Sequence, residues 1–137
     1  MSERHVSEVR TAPTADSSAG QPAMSVGAPF QLRVCHGKSH ATVLTARGEI
    51  DLSSCRHLRE LLSAAVERGT TVLDLAEVGF CDSSGLRVLV EAEQAARANG
   101  AAFRLAAVSE AVRHVLEISC SLDVFELFRD VDSALRD

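Results

Sequence analysis

The chain has no tryptophan and no tyrosine, and aromatic residues make up only 4% of its 137 residues. Its hydrophobic fraction is nevertheless 46%, so the predicted core is built from valine, leucine and alanine with a few phenylalanines. This length suits one domain rather than two. Positive charge is not in excess either, since the formal net charge is −5, and the lack of a basic patch argues against a nucleic-acid partner.

Long apolar runs are also missing. No run approaches the ~20 residues that span a bilayer, and the first ten residues are too polar for a secretory signal peptide. We therefore expect a cytoplasmic protein without a membrane partner. The cysteines are widely and irregularly spaced, with no C-x-x-C, so we expect buried, reduced thiols, and we expect neither a metal site nor a cofactor. They are Cys35, Cys55, Cys81 and Cys120.

The N-terminal part differs from the rest in composition. Residues 1–28 are rich in serine, alanine, threonine, proline and glycine and hold almost no large apolar side chains. Such a segment buries too little apolar surface to offset the entropy lost on ordering. The sequence therefore predicts a disordered N-terminal arm at 1–28 and a single globular domain at 29–137.

The globular part predicts an α/β fold with a small mixed sheet. Apolar runs bounded by turn residues predict five strands, at 31–36, 41–48, 71–75, 102–108 and 124–128. Helical spacing and capping residues predict four helices, at 52–67, from the D-S-S-G stretch to residue 99, after Ser109 and after Asp130. The first two strands are expected to form a hairpin, and the strand–helix–strand crossovers are expected to make the remaining strands parallel.

The stretch FCDSSGLR at 80–87 joins a predicted strand to a predicted helix. In α/β sheets, sites tend to form beyond the carboxyl ends of strands, and a helix start offers free N–H groups with a partial positive charge. Asp82 or Ser83 can cap the helix, and Ser84 falls in its first turn, where a phosphate would lie against free amides. Gly85 is expected to keep this position open to another molecule.

Three other interpretations of this stretch compete. It can be a capping cluster without chemistry, because aspartate and serine are common at helix starts. It can be a nucleophile elbow, but that motif needs small residues at the positions of Asp82 and Leu86 and a histidine base. Neither His57 nor His114 can be placed beside Ser84 from sequence. A phosphoacceptor Asp82 would require paired acidic residues after the first strand, which are absent.

Two motifs, taken together, resemble the STAS domain family and its anti-sigma factor antagonists. They are G-E-I-D at 48–51 and D-S-S-G-L at 82–86, about 31 residues apart, and the resemblance extends from about residue 31 to 135. It implies a STAS fold, in which about four helices pack beside a small mixed sheet. It also implies a regulatory protein, not an enzyme. Unphosphorylated, it binds an anti-sigma factor that carries a GHKL-type serine kinase domain, and a sigma factor is released.

The resemblance also implies roles for individual residues. The second serine of the S-S pair is the phosphoacceptor, which is Ser84 here, and a PP2C-type phosphatase is expected to reverse the modification. Arg87 stands where many antagonists have a small residue. The expected partner-binding residues are Asp51, Asp82, Ser83, Gly85, Leu86 and Arg87. STAS domains also serve in stressosome-like scaffolds, in lipid transporters and as tails of anion transporters, so a binding role without phosphoswitching remains the alternative.

Overall fold

The computed structural model describes residues 5–7, 29–37 and 40–136. Within them the chain forms one six-stranded sheet, in the order β1-β2-β3-β4-β5-β6, and four α-helices. The strands are β1 (His5–Ser7), β2 (Gln31–His36), β3 (Thr42–Ile50), β4 (Thr71–Cys81), β5 (Phe103–Ala106) and β6 (Glu126–Phe128). The helices are α1 (Leu52–Arg68), α2 (Ser83–Ala98), α3 (Glu110–Ile118) and α4 (Val131–Arg136), with a 3-10 turn at Leu122–Val124.

The topology confirms the predicted mixed α/β fold. Strands β2 and β3 form the antiparallel hairpin, whereas β3, β4, β5 and β6 are parallel neighbours. Strand β1 is an addition that the sequence did not predict. Its residues, His5–Ser7, were assigned to the disordered arm, but their backbone pairs antiparallel with β2. The rest of the predicted arm, apart from residues 5–7, lies outside the described residues.

Strand β4 is longer than predicted, since it extends from Thr71 to Cys81 instead of ending at residue 75. It can continue because β3 pairs with it as far as Ile50, with two register shifts on the way. One shift lies beside Gly48, whose φ is 106°. A Cβ at Gly48 would stand 2.6 Å from the carbonyl oxygen of Pro29. The glycine of the G-E-I-D motif is therefore required by the backbone, and the long β4 brings the D-S-S-G stretch level with the end of β3.

The core is aliphatic, as predicted, and lies on both faces of the sheet. On one face the main cluster joins α1, α2 and α3 to the inward side chains of the strands, with Leu58, Leu73 and Leu105 fully buried. On the other face α4 packs on a smaller cluster that includes Val72 and Ala134. Successive residues of β4, such as Val72 and Leu73, point to opposite faces of the sheet, as the period of a strand requires.

The cysteines are less uniform than predicted. Cys55 and Cys81 are buried, whereas Cys35 is half-buried and Cys120 is exposed, so the expectation of buried thiols holds for only two of the four cysteines. Cys120 directly follows Ser119, the C-cap of α3, and its φ is 58°. Burial, reinforced by the nearby charge of Asp82, raises the pKa of the Cys81 thiol to about 11.

Membrane-spanning character is missing from the part of the chain that the structure describes. None of its helices is both long enough and apolar enough to cross a membrane.

Candidate functional site

The two helices α1 and α2 begin side by side at one edge of the sheet. Strands β3 and β4 are parallel neighbours, and their last register pair is Ile50 with Cys81. The next residue of each strand is an aspartate, Asp51 in one and Asp82 in the other. The Asp82 amide donates to the Ile50 carbonyl at 3.2 Å. The two motifs of the sequence therefore meet at the carboxyl ends of adjacent strands, as sites in α/β sheets commonly do.

The start of α2 is capped by Asp82. Its Oδ1 accepts hydrogen bonds from the Ser84 amide at 3.0 Å, the Gly85 amide at 3.3 Å and the Ser84 hydroxyl at 2.6 Å. Partial burial on its own raises the pKa of the Asp82 carboxyl. The hydrogen bonds from Ser84 and Gly85 outweigh it and hold that pKa below its usual range. The cap is thus a carboxylate at neutral pH, placed against the partial positive charge of the helix start.

The start of α1 has the same arrangement. Asp51 is one of the capping residues from which this helix was predicted, and the structure confirms it as the cap, but the matching contact with Ser53 was not identified. Asp51 Oδ1 accepts from the Ser53 amide at 3.0 Å, the Ser54 amide at 3.2 Å and the Ser53 hydroxyl at 2.7 Å. Ser54 Oγ in turn accepts from the Asp51 amide at 3.0 Å, which completes a capping box. The recurring spacing, aspartate followed two residues later by serine, was the signal that could have revealed this pair.

The other predicted partner-binding residues of the D-S-S-G-L-R stretch lie in different environments. Ser83 and Arg87 are exposed, whereas Ser84 and Leu86 are half-buried, and Leu86 packs against the main core. Ser83 is the first residue of α2 and not its cap, which is Asp82. Of the two capping residues that the sequence allowed, the structure selects Asp82.

Gly85 has a different role from the one expected. It is buried, and a Cβ there would stand 2.6 Å from Ile50 Cγ2 and 2.8 Å from Cys81 Sγ. The glycine therefore allows α2 to approach the strand ends closely. The expectation that Gly85 leaves room for another molecule is wrong, because the space is filled by the chain's own side chains.

Two large apolar side chains are exposed at this same edge, and sequence reasoning missed both. Leu52, the first residue of α1, is 76% exposed, and Phe80, near the end of β4, is 46% exposed. Phe80 also borders an open groove of about 570 Å³ between the end of β4 and the outer side of α3, where His114 lies. Single exposed apolar side chains are ordinary, but these two lie at the end of the sheet where both capped helices begin.

The hydrogen bonding of Ser84 differs from that of a nucleophilic serine. A nucleophile elbow needs a histidine to accept the hydroxyl proton. Here the hydroxyl donates to the Asp82 carboxylate, which is also engaged by two backbone amides. The geometry instead presents a hydroxyl in the first turn of a helix, at the edge of the domain, beside two aspartates.

A family model for the STAS domain matches residues 34–134. The fold is similar to that of an anti-sigma factor antagonist from Mycobacterium paratuberculosis, with a TM-score of 0.70 and 25% identity over 80% of this chain and 96% of that one. It is also similar to the anti-sigma factor antagonist SpoIIAA in its unphosphorylated form, with a TM-score of 0.65 and 22% identity over 78% of this chain and 93% of that one.

A third similar structure is SLC26A9, with a TM-score of 0.59 and 16% identity over 70% of this chain but only 19% of that one. The likeness to structures below 25% identity concerns the fold. The family match, by contrast, covers most of this chain and includes both helix starts. On this basis the chain belongs to the STAS domain family.

Proposed function

We propose that this chain is an anti-sigma factor antagonist whose binding to its partner is controlled by phosphorylation of Ser84. The observation that carries the proposal is the position of the Ser84 hydroxyl. It lies in the first turn of α2, at the edge of the domain where Asp51 and the exposed Leu52 and Phe80 also lie. A modification there adds charge at a surface already suited to a protein contact.

In the unmodified state this edge binds an anti-sigma factor that carries a GHKL-type serine kinase domain. Leu52 and Phe80 supply exposed apolar area, and its removal from water on binding favours association. Asp51 and Arg87 supply charges that orient the partner. The similarity to two anti-sigma factor antagonists supports this kind of partner. Occupation of the anti-sigma factor by this chain releases a sigma factor.

The partner then modifies the chain that it binds. The bond between the γ-phosphorus of ATP and its bridging oxygen breaks, ADP leaves, the Ser84 Oγ–phosphorus bond forms, and the hydroxyl proton is released. ATP and magnesium belong to the kinase, and this chain contributes the acceptor and no catalysis of its own. A PP2C-type phosphatase hydrolyses the phosphoserine and restores the binding form. We expect the whole cycle to take place in the cytoplasm.

Phosphorylation weakens binding through charge. A phosphoserine carries about −1.5 to −2 charges at neutral pH, and it joins the carboxylates of Asp51 and Asp82 on one edge. A partner shaped for a neutral serine then meets an anion that is costly to desolvate. We expect an affinity loss of about a hundredfold, which corresponds to roughly 2.7 kcal/mol.

The test compares three proteins with the cognate kinase, recovered by pull-down and identified by mass spectrometry. Wild type, Ser83→Ala and Ser84→Ala are incubated with kinase and ATP, and the phosphate is mapped by mass spectrometry. Wild type and Ser83→Ala should be modified at Ser84, and Ser84→Ala should bind the kinase without taking up phosphate. Uptake by Ser84→Ala at the wild-type level would refute the proposal, as would equal binding before and after modification.

The alternative is a scaffold or transporter subunit without phosphoswitching. The similar fold in SLC26A9 keeps this possibility open. The substitution Ser84→Asp separates the two functions, because it adds a charge without any kinase. A switch predicts weaker binding of Ser84→Asp to the recovered partner, although one carboxylate imitates a dianion poorly. Unchanged affinity together with no phosphate on Ser84 would favour the scaffold.

A further inference from the structure

The hydroxyl of Ser84 is not free to rotate. It donates to Asp82 Oδ1 over 2.6 Å, and the same oxygen accepts from the Ser84 amide at 3.0 Å and the Gly85 amide at 3.3 Å. A hydroxyl–carboxylate bond of this length is charge-assisted and strong. One carboxylate oxygen thus fixes both the first turn of α2 and the direction of the only hydrogen on Ser84 Oγ.

Phosphorylation removes the basis of this contact. Once Oγ carries phosphorus, it has no hydrogen to donate. Asp82 Oδ1 and the ester oxygen would then lie 2.6 Å apart without a hydrogen bond between them, and two oxygen atoms repel each other at that distance. The new group is an anion as well. The phosphate competes with Asp82 for the same amide donors, because the N–H groups and the partial positive charge of a helix start attract any nearby anion.

We propose that Asp82 is a positioning residue for Ser84 and that phosphorylation displaces its carboxylate from the start of α2. Before transfer, Asp82 holds the Ser84 hydroxyl in one orientation. After transfer, the phosphate takes over the amides of Ser84 and Gly85, and the carboxylate turns outward toward the partner surface. This inference rests on the proposed function for the first step, whereas the second step concerns this chain alone.

The second step can be measured without any kinase. Phosphoserine is introduced at position 84 during synthesis, and the unfolding equilibrium is measured by chemical denaturation for four proteins: wild type and Asp82→Asn, each with serine or phosphoserine. Asparagine keeps a capping oxygen but has no charge. We expect phosphoserine to lower the folding equilibrium constant about tenfold more in wild type than in Asp82→Asn, which is about 1.4 kcal/mol of coupling.

A matched control uses another aspartate cap. Asp130 accepts from the Ser133 amide at 2.8 Å at the start of α4, on the opposite face of the sheet. The same four-protein cycle with Asp130→Asn should give no coupling to phosphoserine 84. Equal effects of phosphoserine in wild type and Asp82→Asn would overturn the displacement of the carboxylate, and so would equal coupling at Asp82 and Asp130.

The first step is tested with the cognate kinase. Asp82→Ala removes both the cap and the acceptor of the Ser84 hydroxyl, and loss of orientation should lower kcat about 10- to 100-fold with KM changed by less than threefold. Asp82→Asn keeps an acceptor oxygen and should restore most of kcat. Asp130→Ala, which loses a cap elsewhere, should leave both constants unchanged. An Asp82→Ala protein with wild-type kcat would overturn the positioning role.

Failure of the proposed function can be distinguished from failure of the inference about Asp82. If wild type takes up no phosphate from the recovered kinase, the proposed function fails, but the cycle with synthetic phosphoserine still decides the displacement. If the kinase modifies Ser84 normally and the cycle shows no coupling, the proposed function stands and the inference about Asp82 is wrong.

Discussion

The starts of α1 and α2 carry the same cap in different surroundings. In each, an aspartate accepts from the amide and the hydroxyl of the serine two residues later, over oxygen–oxygen distances of 2.7 Å at Ser53 and 2.6 Å at Ser84. Ser53 is exposed, whereas Ser84 is half-buried. The next residue also differs. Ser54 donates its hydroxyl to the Glu49 carbonyl at 2.9 Å, and Gly85 has no room for even a Cβ.

The difference shows that the third helical residue sets the two starts apart: Ser54 completes a capping box at α1, whereas Gly85 has no side chain and lets α2 pack closely on the strand ends. A local sequence of aspartate and serine produces the same cap twice. The glycine of α2 lets its first turn approach Ile50 and Cys81, so that turn is fixed by its cap and by its contacts with the strands. We therefore expect the start of α2 to tolerate substitution less well than the start of α1, and three predictions test that comparison.

The largest loss of stability is expected for a substitution in the body of α2. Leu89 is 1% exposed in the main core, so Leu89→Ala should lower the free energy of unfolding by about 2–5 kcal/mol, through lost burial and the cavity left behind. Leu52, at the start of α1, is 76% exposed, and Leu52→Ala should change stability by no more than about 0.5 kcal/mol. Chemical denaturation of both variants measures the contrast. Similar losses would mean that the two leucines are equally buried.

A smaller effect is expected at Gly85. In Gly85→Ala the new methyl group would overlap Ile50 and Cys81, and overpacking of this kind costs about 1–3 kcal/mol. Alanine recovers about 1 kcal/mol as the better helix former, so the net loss in unfolding free energy should be about 1 kcal/mol.

Gly79 provides the matched control for this prediction. It lies in β4, and a Cβ there would meet nothing within 4 Å. Gly79→Ala should therefore leave the protein as stable as wild type or slightly more stable, because alanine loses less backbone entropy on folding. A Gly85→Ala protein as stable as Gly79→Ala would show that the close approach of α2 to the strands is not required.

Most of the fold was predictable from sequence because it depends on local periodicity. The hairpin, α1, α2 and the crossovers follow from apolar spacing and from capping residues that act within one turn. The end of β4 was missed because residues 76–80 are mostly exposed and lack strand alternation, and their strand geometry comes from pairing with a bulged β3. Strand β1 was missed because its three residues gain order from β2 and not from their own composition.

The site was predictable in its residues but not in its contacts. Asp82 and Ser84 could be identified because D-S-S-G follows a buried strand. The contact of the Asp51 cap with Ser53 escaped notice, and so did the exposure of Leu52, because both matter to the site only where the ends of β3 and β4 meet. The role of Gly85 was misjudged for a related reason. Its contacts, Ile50 and Cys81, lie at strand ends that a linear sequence does not bring together.

The smallest effect is expected at Ser83, the first residue of α2. It is exposed, and the cap is formed by the preceding residue. Ser83→Ala should therefore change the unfolding free energy by less than about 0.5 kcal/mol. Asp82→Ala, which removes the cap, should cost about 1 kcal/mol.

This pair of variants decides where α2 begins, and with it the environment of Ser84. If Asp82 is the cap, Ser84 is the second helical residue and its hydroxyl is bound by the cap carboxylate. If Ser83 were the cap, Ser84 would be the first helical residue, and it would no longer be equivalent to Ser53, which is the second helical residue of α1. Chemical denaturation in one buffer, near neutral pH where Asp82 is ionised, separates the two cases. A larger loss for Ser83→Ala than for Asp82→Ala would contradict the shared geometry on which the comparison of α1 and α2 depends.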